Sequence, residues 1–231
     1  MEKLICQSDN FPFVEKKDTK IKYCLSLVAV CPHRKSATFF IFSNYQHSKE
    51  KGGIFYAKPS EVTDFSHSNF PKEVEIIPLD GHSFVMTGFR TPDDVVFLAD
   101  CLSSRETIDK YQISFIYDVA EYLNTLERIK SIKAKLFVPA HAPVSEDITE
   151  LADYNINKVH EIIEKLLSIC QEPVCFEHIL QKLFSDYNLT MNFEQYVLVG
   201  SAVRSYLSFL KDNGKLEVAF ENNMLLWRSV V

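Results

Sequence analysis

The sequence predicts an α/β fold: a sheet-and-helix domain over residues 1–145, then a small helical domain over residues 146–231 that ends in a two-stranded ribbon. Three observations predict it. Apolar, largely β-branched runs at residues 74–79, 95–99 and 135–138 have strand length, and each leads into a polar residue. Between the second and third runs, Val119, Tyr122, Leu123, Leu126 and Ile129 recur at helical spacing. Beyond residue 145 the apolar spacing is helical until an Asn213-Gly214 turn introduces two short strand-like segments.

Taken in order, residues 1–70 are the least patterned part. Residues 21–30 read as a strand or a short helix, and Gly52-Gly53 and Pro59 mark loops. Residues 74–79 form a strand that turns at Asp80-Gly81-His82. Residues 83–90 form a second strand, Thr91-Pro92-Asp93-Asp94 a hairpin turn, and residues 95–99 an apolar strand running into Asp100. A helix over 118–132 precedes a strand over 135–138 that enters Pro139-Ala140-His141. Residues 146–170 form a long amphipathic helix with a stripe of Ile148, Leu151, Ile156, Val159, Ile162, Ile163, Leu166 and Leu167. Helices over 176–187 and 193–212 and strands over 216–220 and 224–228 complete a winged-helix-like outline.

Composition narrows the function. The chain has 231 residues, 46% of them hydrophobic and 24% charged, as a packed globular protein does. The net charge of -6 supplies no global positive field for phosphate contacts. From Glu150 onward eleven acidic residues face seven basic ones, so nucleic acid is not an expected partner of the C-terminal domain. No apolar run reaches the roughly 20 residues of a membrane span. The first residues show no secretory h-region, and the six cysteines have neither zinc-ribbon spacing nor disulfide-scaffold density. The cytoplasm, with reduced thiols, is the expected compartment.

Three polar groups at strand ends, His82, Asp100 and His141, converge on one sheet edge if those strands pair. Imidazole and carboxylate are ligand types that zinc or iron accepts, and one carboxylate can bridge two ions. The strings Pro78-Leu79-Asp80-Gly81-His82-Ser83, Val95-Val96-Phe97-Leu98-Ala99-Asp100-Cys101 and Leu136-Phe137-Val138-Pro139-Ala140-His141-Ala142 resemble the later motifs of the metallo-β-lactamase superfamily. Residues 113–118 with the following helix, and Phe55-Tyr56-Ala57-Lys58-Pro59-Ser60, extend the likeness. The resemblance implies an αββα sandwich and a metal-dependent hydrolase acting on an ester, thioester or phosphodiester. In that family His82 would bind one metal, His141 the other, and Asp100 would bridge them as the catalytic carboxylate.

The family's first ligand motif, His-x-His-x-Asp-His, has no counterpart string in this chain. One register places its remnant at Ile5-Cys6-Gln7-Ser8-Asp9-Asn10, where Asp9 matches, followed by Phe13-Val14-Glu15-Lys16-Lys17. Another uses Cys31-Pro32-His33 and puts Lys35 and Ser36 where Asp and His belong. In the first register Asp9, Asp100 and His141 give one ion three ligands, the minimum for a catalytic zinc with an open position, while the other position keeps only His82. The expected cofactor is therefore zinc, or iron or manganese, as one ion or none. The first register leaves no room for the strands that precede the motif in the family, so the expected sandwich is one incomplete at its N-terminus, with a homodimer as one way to cover the exposed edge.

The alternative function is a catalytically silent relative that keeps the fold for binding or assembly. Other candidates have plainer readings: Asp118 and Glu121 as a solvated helix face, Cys101 as a buried small residue, and His33, His47 and His67 as surface residues.

Overall fold

The computed structural model describes residues 72–83 and 85–230, together with the backbone of two short strands, β1 (Tyr23–Ser26) and β2 (Phe40–Ser43). The chain divides into two compact units, residues 1–74 and 75–231. In the first unit β1 and β2 pair antiparallel, Tyr23 opposite Ser43 and Ser26 opposite Phe40, so the segment read as strand or helix holds a strand. Asp9, His33, His47, His67 and residues 55–60 lie outside the described residues.

The second unit is built on a four-stranded sheet of β3 (Glu75–Pro78), β4 (Thr87–Arg90), β5 (Val95–Ser103) and β6 (Leu136–His141), in that spatial order. The first two pairings are antiparallel and β5 pairs with β6 in parallel. A parallel neighbour needs a crossover, and α1 (Arg105–Tyr111) and α2 (Val119–Ile129) supply it. The helix α2 buries Val119, Tyr122, Leu126 and Ile129, apolar side chains of this size stabilising by roughly 1.5–3 kcal/mol each. Both edge strands carry a proline, Pro78 and Pro139, where a missing N–H costs no central ladder bond. Beyond β6, Phe137 and Ser145 exchange backbone hydrogen bonds of 2.7 and 3.1 Å.

The long helix α3 (Thr149–Ile169) packs on β5, α1 and α2 and buries its apolar stripe. It leads to β7 (Val174–Cys175), α4 (Phe176–Asp186), α5 (Phe193–Asp212) and the hairpin β8 (Leu216–Glu221) with β9 (Met224–Ser229). The strand β7 joins that hairpin as a third strand, in the order β7-β9-β8. No helix among the described residues is long and apolar enough to cross a membrane.

Besides the added strand β7, three elements differ from the sequence expectation. The strand β4 begins at Thr87, because residues 80–82 form a turn and Leu79 N–H already closes the connection onto the Met86 carbonyl at 2.7 Å. The helix α1 was not expected: it buries Ile108 alone, so it has almost no amphipathic signal, and it starts on Ser104, whose hydroxyl accepts from Thr107 N–H at 3.2 Å.

The third difference shapes the site. Asp100 does not end its strand; β5 continues to Ser103. Its register against β6 shifts, with Phe97 opposite Val138, Ala99 opposite Pro139 and Ser103 opposite His141. Ala99 adopts φ +49, a left-handed conformation uncommon for a residue with a Cβ. Burial along β5 then repeats every third residue, so Phe97, Asp100 and Ser103 are partly exposed while the pairs between them are buried. An extra residue in one strand re-aims the side chains after it, and here it turns Asp100 away from the core.

Glycine at residue 99 relieves a left-handed penalty of about 1–2 kcal/mol and removes one buried methyl worth about 0.8 kcal/mol. Ala99→Gly is therefore expected to leave stability unchanged or raise it by up to about 1 kcal/mol in urea unfolding. Ala99→Val is expected to lose about 3 kcal/mol. Equal stability of the two variants would contradict the bulge.

Candidate functional site

The site is assembled by three separate backbone devices. His82 stands in the turn after β3, and Gly81 before it has φ +119. A Cβ on Gly81 would overlap the backbone nitrogen and Cα of Tyr122, so only glycine admits this approach of the turn to α2. The Gly81 carbonyl accepts from the N–H groups of Tyr117 and Asp118, both at 2.9 Å, and Thr125 Oγ1 donates to the Asp80 carbonyl at 2.8 Å. The turn is thus fastened to the N-terminal end of α2. Asp100 is supplied by the re-aimed stretch of β5, and His141 is the last residue of β6.

These devices bring His82, Asp100 and His141 together. Asp100 Oδ1 lies 3.2 Å from His141 Nε2, and Asp100 Oδ2 lies 3.9 Å from His82 Nε2. Each carboxylate oxygen faces a different imidazole. The His82 ring stands edge-on to Phe115, with centroids 5.7 Å apart and an interplanar angle of 75°. His82 and Asp100 are mostly covered, with side chains 25% and 33% exposed, whereas His141 is 59% exposed.

Burial decides how the two imidazoles differ. Burial lowers the His82 pKa below 6.5, and the nearby His141 adds to this, together outweighing Asp100 and a hydrogen bond with the Phe115 backbone. For His141 the hydrogen bond to Asp100 comes first and raises the pKa above 6.5, against a smaller effect of burial. Burial pushes the Asp100 carboxyl up, but the His141 hydrogen bond and both imidazoles outweigh it and hold it below 3.8. One imidazole is kept neutral while the other is disposed to carry a proton.

As a donor set, two imidazole nitrogens and a bridging carboxylate suit zinc or iron in kind. Metal bonds near 2.0–2.1 Å in a tetrahedron set donors about 3.3 Å apart, close to the His141–Asp100 distance of 3.2 Å and shorter than the His82–Asp100 distance of 3.9 Å. The donors fall short in number: among the described residues no group of three or more His, Cys, Asp or Glu side chains is placed to hold an ion.

The remaining candidates have structural roles. Cys101 is fully buried, and burial together with the Asp100 charge pushes its thiol far up, which removes it as a nucleophile. Asp118 is the N-cap of α2 and accepts from Glu121 N–H at 3.0 Å. Sequence reasoning missed Phe115 and the Gly81–Tyr122 contact; the signal was Asp118-x-x-Glu121, a helix start with a carboxylate at the third position, directly after the aromatic 113–117 segment.

By sequence, the chain matches no protein-family model and no curated protein. By structure, it is similar to a metallo-β-lactamase family protein from Thermus thermophilus, with a TM-score of 0.52 and 14% identity over 68% of this chain and 49% of that one. It is also similar to a β-lactamase domain protein from Burkholderia ambifaria, with a TM-score of 0.55 and 13% identity over 68% of this chain and 48% of that one. The chain spans about half the length of each. At these identities the likeness is one of fold: the chain has a mixed α/β, metallo-β-lactamase-like fold.

The contact at Gly81 and the uneven imidazoles can each be tested. Gly81→Ala is expected to cost more than about 3 kcal/mol in denaturant unfolding, because neither α2 nor the turn can yield to a Cβ; a loss below about 1 kcal/mol would contradict the contact. In metal-free protein, NMR titration is expected to show His141 protonating above 6.5 and His82 below it, with Asp100→Asn moving His141 downward. The sign for stability follows: the His141 contribution is fully present below its unfolded pKa and is lost as pH rises through its folded one. The lowered Asp100 pKa contributes above 3.8 and is lost as pH falls through its folded value. Coincident titration of the two histidines would refute the asymmetry.

Proposed function

We propose that the His82–Asp100–His141 edge is what remains of a metallo-hydrolase centre, and that the chain is a metal-dependent hydrolase of an ester, thioester or phosphodiester with an impaired or single-metal site. The observation that carries this is the Asp100 carboxylate, whose two oxygens each face a different imidazole. Zinc, iron or manganese is the ion the donor set suits, and Asp9 is the sequence's candidate for a further ligand. When bound, such an ion supplies Lewis acidity that polarises a substrate oxygen and lowers the pKa of water. The chain's own residues hold the geometry: Asp100 lies 3.2 Å from the His141 imidazole and 3.9 Å from that of His82, burial keeps His82 deprotonated and available as a donor, and the open position of His141 leaves room for a small-molecule substrate. In this reading residues 1–145 carry the site in the cytoplasm, residues 146–231 form a winged-helix-like domain, and neither nucleic acid nor membrane takes part.

A second reading has its own observation. The missing His-x-His-x-Asp-His string and the shortage of ligands among the described residues favour a silent relative, monomeric or homodimeric, that uses the fold for binding or assembly.

Metal analysis of protein purified without a histidine tag, paired with ester and phosphodiester assays, separates the two. The hydrolase reading expects up to one ion per chain and turnover that falls by at least about 100-fold in Asp100→Ala. Metal content near zero, unrestored by added zinc, with no turnover, would leave the silent reading.

A further inference from the structure

We propose that Asn155 is a positioning residue for this edge, setting where His141 stands relative to Asp100 through the backbone of Ser103. Asn155 sits in the buried stripe of α3 and is 3% exposed. Its Oδ1 accepts from Ser103 N–H at 3.2 Å and from the Tyr122 hydroxyl at 3.4 Å. Its Nδ2 donates to the carbonyls of Ser103 at 3.0 Å and Leu151 at 2.8 Å. Two donors and two acceptor sites are all that such an amide has, and all are engaged.

The two bonds to Ser103 take the place of a neighbouring strand. They are made where β5 has left its regular register with β6 and has run past its pairing with β4, which holds Val96 and Phe97. Ser103 stands opposite His141, and the N–H of the next residue, Ser104, donates to the His141 carbonyl at 2.8 Å. One amide on α3 therefore pins the far end of the Asp100–Ser103 stretch and, through it, the end of β6. The Tyr122 hydroxyl links the same amide to the helix against which Gly81 holds the His82 turn. An aliphatic residue would pack α3 equally well, whereas a buried amide is costly unless fully bonded. Its use at this point in the stripe is accounted for by the backbone it holds. The inference rests on reading the His–Asp–His edge as the functional centre.

Asn155→Asp keeps the shape and removes both donors, setting a carboxylate oxygen against the Ser103 carbonyl. In the whole chain, amide hydrogen exchange at Ser103 and Ser104 and the ring proton–nitrogen signals of His141 report position, and added zinc reports binding. Asn155→Asp is expected to speed exchange at Ser103 and Ser104 by at least about tenfold relative to Val96 and Leu98, to shift the His141 ring signals and to weaken any zinc binding. Tyr122→Phe is expected to move the same signals less and decides the matter if Asn155→Asp does not fold. Ile179→Val, a mild core change on α4, is expected to leave them in place. Unmoved Ser104 and His141 signals in the folded variants, or equal movement in Ile179→Val, would overturn the proposal. Absence of zinc binding in the unaltered protein would count against the metal reading alone, because the exchange and ring signals judge Asn155 without metal.

Discussion

The parallel ladder between β5 and β6 does not stay in register past Phe97, and the site depends on that break. A regular strand would send alternate side chains to opposite faces, so Leu98 and Asp100 would share one face. Leu98 is fully buried, and a carboxylate beside it would be buried too. With Ala99 in a left-handed conformation, Leu98 and Ala99 both turn inward and Asp100 emerges at the sheet edge. The strain of one residue is exchanged for an accessible carboxylate between two imidazoles.

Around that break the helices serve as braces as well as cover. The helix α2 holds the His82 turn through Gly81 and the Asp80 carbonyl, while α3 holds the outer end of β5 through Asn155. These attachments grip the backbone of the turn and of β5, which fixes where the chain runs and leaves the three side chains free to meet. The electrostatic asymmetry follows from position: His82 lies in the covered turn beside Phe115, and His141 lies at an exposed strand end within hydrogen-bonding distance of Asp100.

Much of this was legible in the sequence, for physical reasons that differ by element. Apolar runs of strand length before His82, Asp100 and His141 announced β3, β5 and β6, and the Val119–Ile129 spacing announced α2. The extent of β5 was not legible, because Ala99-Asp100-Cys101-Leu102-Ser103 follows a three-residue burial repeat that neither strand nor helix periodicity describes. The helix α1, with one buried residue, and β7, with two residues in all, were too weakly patterned to read. At the site, the residue types and their order gave His82, Asp100 and His141, while Asn155 was hidden as one polar residue in an apolar stripe.

The central claim is that one carboxylate and two imidazoles, distant in sequence, share a single edge, which the proposed function reads as the remainder of a metal centre. Anomalous X-ray diffraction at the zinc edge, from crystals soaked in a zinc salt, tests it most directly. The account predicts an anomalous peak within bonding distance of an Asp100 oxygen, flanked by the Nε2 atom of His141 or of His82. Electron density that places the two imidazoles on opposite sides of the sheet, with Asp100 touching neither, would contradict it.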